Sequence, residues 1–276
     1  MTAQMIEANG IQQCYEMTGP DDAPHVTLVH GSGDNRKAWW LQISALAESY
    51  RVLTYDMRGH GDTETPESDS LNQMTFVQDL AGLLDALGIE RTALIGYSMG
   101  GGIVRNFAAS HPERVWGVVM SNGGRLDPPP SATEEEAAAR TMREERAAGI
   151  RAGGMNSVFD GWLTQVYTPE FAAARPEIVE AHRAVMTAND PEKYIRVLSG
   201  MGGASGVDLA RVTAPALIIV GAGDEYTGPE AAQELAAALT GTTAEAQVFP
   251  TRHGTPFERH EEYNRALRAF LDANRP

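Results

Sequence analysis

Cysteine is almost missing from this chain: Cys14 stands alone among 276 residues. A single thiol closes no intrachain disulfide and builds no multi-cysteine metal site, which predicts a reducing, cytoplasmic setting. Long apolar runs are missing too. None approaches the roughly 18–20 residues that a bilayer crossing requires, so no membrane span is expected. The opening stretch from Met1 to Glu7 has neither the basic start nor the apolar core of a signal peptide, so no secretory leader is expected. Positive charge is scarce: 22 Lys and Arg face 37 Asp and Glu, a formal net charge of -15. With no basic stripe to displace counterions from phosphates, nucleic acid is not an expected partner, nor is an anionic membrane surface. An anionic small molecule is repelled at long range unless a local cation receives it.

What the chain does have is alternation. Residues 4–18 read as a β-hairpin turning at Asn9-Gly10. His25–Val29 is a buried strand leading into His30-Gly31-Ser32-Gly33. A helix over about 37–48 and the strand Arg51–Tyr55 follow, then the tight loop Asp56-Met57-Arg58-Gly59-His60-Gly61. Residues 73–87 carry Phe76, Val77, Leu80, Leu83, Leu84 and Leu87 at helical spacing, and Gly88 stops them. Thr92–Ile95 and Val115–Met120 are further strands.

The pattern breaks at about residue 123, in Gly123-Gly124 and Pro128-Pro129-Pro130, and resumes near 214. The interval reads as helical. Thr133 with Glu136 forms a capping box, Phe159, Trp162, Leu163, Val166 and Tyr167 share one face, and Ile178, Val179, His182, Val185 and Met186 share another. Residues 194–201 mark a last short helix, and the glycine-rich stretch 202–206 returns the chain to the sheet. Ala216–Val220 restarts the sheet, followed by Gly221-Ala222-Gly223-Asp224. A helix at about 229–239, the strand Ala246–Phe249 and a helix over about 258–273 complete the chain. This order predicts an α/β core of mainly parallel strands covered on both faces, formed by 1–122 and 214–276, with 123–213 as a helical cap insertion.

The densest signal is Gly96-Tyr97-Ser98-Met99-Gly100, set between an apolar strand and a helix opening at Gly101-Gly102. Strand, G-x-S-x-G and helix in that order are the context of a nucleophile elbow. The serine sits on a turn so sharp that side chains two before and two after it would clash, and glycine occupies both places.

Together with His30-Gly31-Ser32, Asp56-x-Arg58-Gly59-His60-Gly61, Gly221-x-Gly223-Asp224 and His253-Gly254, the elbow resembles the α/β-hydrolase family over nearly the whole chain. The resemblance implies an eight-stranded sheet and a capped serine esterase or lactonase. Ser98 becomes the nucleophile, His253 its base, and Asp224 the group that orients the imidazole. It also implies an oxyanion hole from the backbone N–H groups of Ser32 and Met99. Histidine suits the base because it titrates near neutral pH. Its rivals are weaker: His260 lies in a charged helix start, His111 ends a helix, and His182 lies on the apolar face of a cap helix. Glu225 neighbours Asp224, but the G-x-G-D turn favours the aspartate. Some relatives carry the acid after the preceding core strand, where this chain has Asn122, which holds no charge. His30 and the Arg58–Gly61 loop are expected as scaffolding.

Family members with an aspartate nucleophile, the haloalkane dehalogenases and epoxide hydrolases, are set aside because position 98 is serine. No metal-ligand cluster stands out, and the elbow glycines lack the dinucleotide frame, so neither metal nor cofactor is implied. The expected partner is a small-molecule ester or lactone, with Phe159, Trp162 and His182 as candidate pocket residues. Two alternatives stay open. One is carbon–carbon bond hydrolysis of ring-cleavage products, with Arg183 or Arg196 receiving a carboxylate. The other is a non-catalytic receptor that only captures its ligand.

Overall fold

The sheet starts at an antiparallel edge. In the computed structural model, which describes residues 2–66, 71–126, 133–200 and 205–276, Gln4–Ala8 (β1) and Ile11–Thr18 (β2) form the expected hairpin. Asn9 and Gly10 both take positive φ at its turn. His25–Val29 (β3), Arg51–Tyr55 (β4), Thr92–Tyr97 (β5), Val115–Ser121 (β6), Ala216–Gly221 (β7) and Ala244–Phe249 (β8) complete the sheet. Its order is β1-β2-β4-β3-β5-β6-β7-β8, with β2 antiparallel to β4 and all later pairs parallel. Every residue of β5, β6 and β7 is buried, as strands covered on both faces must be.

Trp40–Leu46 (α1), Gln73–Ala86 (α2) and Met99–Ser110 (α3) flank the first half of the sheet. The expected helix at 37–48 is divided. Asn35 caps a short 3-10 turn at Arg36–Trp39 by accepting from the Lys37 amide, and only then does α1 begin. α2 starts where expected because Asn72 and Thr75 form a reciprocal capping box, and Gly88 ends it at φ 68°.

Between β6 and β7 the chain leaves the sheet as Thr133–Val166 (α4), Pro169–Ala174 (α5), Pro176–Thr187 (α6) and Pro191–Gly200 (α7). These helices form an insertion between two strands of the sheet. Gly154, at φ 63°, breaks α4 into two helices, matching the expected charged helix and the stripe through Trp162. The short α5 was not expected; Thr168 starts it by accepting from the Phe171 amide. The Pro128–Pro130 run, the Thr133–Glu136 side chains and residues 201–204 lie outside the described residues.

The core closes with Pro229–Ala238 (α8), Thr255–Glu258 (α9) and His260–Ala273 (α10). The last two replace the single helix expected over 258–273, because the backbone departs from helical values at Arg259 (φ -122°, ψ 38°). No helix among the described residues is long and apolar enough to cross a membrane.

β3 lies between β4 on one side and β5 on the other, so the loops after β3 and β5 open a crevice at the carboxyl ends of the strands. Register carries the ladder to that edge: Val29 pairs with Gly96 and Tyr97 with Ser121, and the Ser98 amide donates to the Ser121 carbonyl at 2.9 Å. The neighbouring Asp56–Gly61 loop is held by charge. Arg58 grips Asp79 of α2 through two hydrogen bonds of 2.8 and 2.6 Å, both side chains being buried. Removing the guanidinium leaves a carboxylate in the interior without its counter-ion. Arg58→Ala is expected to lower stability by about 3–5 kcal/mol, read as a fall in the urea midpoint with unchanged slope.

Candidate active site

Five strand ends supply the site. After β5 the chain turns at Ser98, whose φ of 53° and ψ of -116° lie outside the ordinary regions for a side-chain-bearing residue. Such a conformation costs on the order of 1–3 kcal/mol, so the surroundings must enforce it. A Cβ at Gly96 would lie 2.2 Å from the Gly100 carbonyl oxygen, and one at Gly100 would lie 2.2 Å from that of Val29. Both glycines are therefore dictated by close backbone approach.

Ser98 Oγ lies 2.9 Å from His253 Nε2, and His253 Nδ1 lies 2.9 Å from Asp224 Oδ2. The three side chains expected to act together are thus in one hydrogen-bonded line. Asp224 Oδ1 accepts from the amides of Tyr226 and Thr227, and Oδ2 also accepts from Thr227 Oγ1 at 2.8 Å and Asn122 Nδ2 at 2.9 Å. Burial pushes the Asp224 carboxyl up, but these bonds, led by that from His253, outweigh it and hold the group well below the usual carboxylate range.

Asn122 therefore has a part that its sequence position hinted at. It stands where some relatives carry the acid, and here its amide donates to the acid that comes from β7. The signal for Thr227 was its place three residues after an aspartate, a side-chain-capped turn.

The His253 ring lies among aromatic rings. Trp162 stacks on it with centroids 6.2 Å apart, and Tyr226 and Tyr97 lie at 5.7 and 5.6 Å. Its backbone is tied to the cap: the His253 and Gly254 amides donate to the Gln165 and Val166 carbonyls at the end of α4.

Ser32 lines a cavity together with Ser98, Met99 follows Ser98 in the chain, and among the described residues neither amide has a hydrogen-bond acceptor. The loop bearing Ser32 is fixed by two buried imidazoles. The Met57 amide donates to His30 Nε2 and the Gly33 amide to His60 Nε2, while each Nδ1 donates to a backbone carbonyl. Burial drives both rings down, to about 4 for His30 and about 3 for His60, so both stay neutral. Both nitrogens of each ring are thus committed to backbone groups.

Two cavities meet at Ser98 and His253. The larger, about 270 Å³, is walled by Phe76, Met99, Trp162 and Tyr226, with Arg105 and Arg125 at its edge. The smaller, about 30 Å³, is walled by Gly31, Ser32, Asp34, His182 and Met186. Trp162 therefore borders both and His182 one. Phe159 borders neither; it packs edge-on against His182 at 5.6 Å. His182 itself bridges the Asp34 carboxylate (2.7 Å) and the Tyr167 hydroxyl (2.8 Å).

Arg183 and Arg196 do not reach this site. Arg183 pairs with Asp160 and Glu180, and Arg196 donates to the Thr65 carbonyl. Elsewhere Cys14, Asp56 and Asp62 converge closely enough to resemble a cation site, but Arg36 already pairs with both carboxylates. Burial pushes the Cys14 thiol up to about 11, so it stays protonated at neutral pH.

Because the native carboxyl of Asp224 is depressed, its contribution to stability is complete above the unfolded value of about 3.9 and fades as pH falls below it. The stability gap between wild type and Asp224→Asn is therefore expected to be widest near pH 7 and to close in acid. Denaturant melts at pH 7 and pH 3 measure it.

The comparisons with known proteins agree with this fold. The family model described as alpha/beta hydrolase fold matches residues 24–259. The chain is 29% identical to 3-oxoadipate enol-lactonase 2 of Acinetobacter baylyi, covering 98% of this chain and 95% of that protein. It is 28% identical to the 2-hydroxy-6-oxononadienedioate/2-hydroxy-6-oxononatrienedioate hydrolase of Paraburkholderia xenovorans, covering 96% and 92%. Among solved structures, the enol-lactonase of Burkholderia xenovorans LB400 superposes with a TM-score of 0.85 at 27% identity, covering 98% of this chain and 100% of the other. With its eight-stranded, mostly parallel sheet flanked by helices, the chain belongs to the α/β-hydrolase family.

Proposed function

We propose that this hydrolase cleaves a carboxylic ester or lactone through an acyl-serine intermediate. The observation that carries the reading is the unbroken line from Ser98 Oγ through His253 to Asp224 beneath an apolar chamber. A neutral hydroxyl is a poor nucleophile until a base takes its proton as it attacks. Ser98 Oγ bonds to the carbonyl carbon while its proton passes to His253 Nε2. The carbonyl oxygen gains the negative charge, and the Ser32 and Met99 amides receive it.

Collapse breaks the bond to the leaving oxygen, which takes the proton from His253. Water then attacks the acyl-serine by the same relay, releasing the acid and restoring Ser98. Asp224, held ionised, keeps Nδ1 protonated and steadies the imidazolium. This route needs no cofactor.

The reading takes 1–122 and 214–276 as the catalytic core and 123–213 as the cap that walls the substrate, through Trp162 and His182, with Phe159 supporting the latter. A cytoplasmic location goes with it, on the strength of one buried, unpaired cysteine.

Similarity to the Paraburkholderia hydrolase supports carbon–carbon cleavage as a second reading. The arginines expected to serve it, Arg183 and Arg196, bond away from the chamber, so ester or lactone hydrolysis is preferred.

Turnover of a p-nitrophenyl ester tests the assignment. Ser98→Ala and His253→Ala are each expected to lower kcat by about four orders of magnitude or more, and the double variant little further. Ser32→Ala keeps its amide and should cost less than about tenfold; equal loss in Ser32→Ala and Ser98→Ala counts against the oxyanion assignment. A dienol-ketone consumed faster than any ester or lactone would favour the second reading. Binding without turnover of any of them would leave a receptor.

A further inference from the structure

A third cavity, about 330 Å³, lies in the cap between the two halves of α4, and no step of the proposed reaction uses it. It shares two side chains with the 270 Å³ chamber at Ser98: Trp162 and Tyr226 border both. Their ring centroids lie 5.3 Å apart, and both rings also pack against His253. The two spaces are therefore neighbours divided by one pair of aromatic side chains.

The partition rests on few contacts. Tyr226 is 41% exposed, and its hydroxyl donates to Gln165 Oε1 at 2.6 Å. Trp162 is half-buried, with the Arg146 guanidinium 5.5 Å from its ring centroid. Beyond the partition, Ile150 and Val158 give the groove apolar walls. Glycine keeps it open. A Cβ at Gly149 or Gly161 would meet nothing within 4 Å, although glycine inside a helix is an unfavourable choice. No packing constraint demands glycine at either position, and empty space is what both provide.

We propose that this groove is the outer subsite of the Ser98 site. It takes the far end of an elongated ester or lactone whose apolar arm passes the Trp162–Tyr226 pair. The two rings set the length of arm accepted. The inner chamber alone falls at or below the lower end of ordinary ligand pockets, about 300–1,000 Å³; with the groove joined to it, the site lies well within that range. The inference rests on the hydrolase reading above, and its test separates the two.

The readout is the ratio of kcat/KM for p-nitrophenyl decanoate to that for the butyrate. Tyr226→Ala removes half of the partition, and the ratio is expected to rise at least tenfold. Gly161→Leu adds a side chain to the groove at a position where a new Cβ meets nothing within 4 Å, and the ratio is expected to fall at least tenfold. A misfolded variant cannot produce the rise, and the opposite signs cannot both come from general damage.

Ratios within twofold of wild type in both variants, with turnover still dependent on Ser98, overturn the subsite and leave the hydrolase reading standing. Turnover that survives Ser98→Ala overturns the hydrolase reading instead. Calorimetric titration of the two uncleaved esters into Ser98→Ala protein, with and without each second substitution, reads the subsite without catalysis. There, equal relative affinities in all three backgrounds overturn it.

Discussion

The backbone at Ser98 is the constraint from which the rest of the site follows. Its conformation places the hydroxyl at the sheet edge, where it borders two cavities, and it is tolerable only because neighbouring backbone approaches without side chains in the way. Ladder hydrogen bonds from β5 to β6, and from the Asn122 amide to Ile219 of β7, then fix where the loops of the adjacent strands emerge. Asp224 and His253 arrive from β7 and β8 at distances set by that ladder. The chemistry is therefore a property of strand register as much as of three residue types.

A second layer of polar groups holds the first. Asp224 is surrounded by donors from Asn122, Tyr226 and Thr227, which keep it charged despite its burial. His30 and His60, although buried histidines, are kept neutral and committed to backbone. The same residue type thus has two roles, separated by what each nitrogen meets. His253 instead aims its Nε2 at the Ser98 hydroxyl.

Much of this was legible in the sequence. Short apolar strands separated by amphipathic helices gave the α/β core, because a strand covered on both faces has to be apolar at nearly every position. Glycines at 96 and 100 marked the elbow, since backbone sterics permit little else. The line of Ser98, Asp224 and His253 could be named because the motifs are local and their order was informative. What could not be read depended on distant parts of the chain meeting. Nothing local says that Asn122 would bond Asp224, that Arg183 would turn to Asp160, or that Phe159 would lie behind His182 rather than face the cavity. Helix ends were missed at Arg259 and Arg36, where backbone geometry and capping decide the boundary and periodicity is silent.

The inserted helices are bonded into the loops around Ser98 and His253 rather than laid over them. The last carbonyls of α4 hold the His253 and Gly254 amides, Thr168 bonds Glu258 at the head of the final helical stretch, and Asn189 and His182 grip Gly33 and Asp34. Without these helices the His253–Gly254 segment and the Gly33–Asp34 loop would lose those bonds together. One set of hydrogen bonds thus ties the inserted helices to the loops bearing Ser32 and His253, so a shift in either displaces the other.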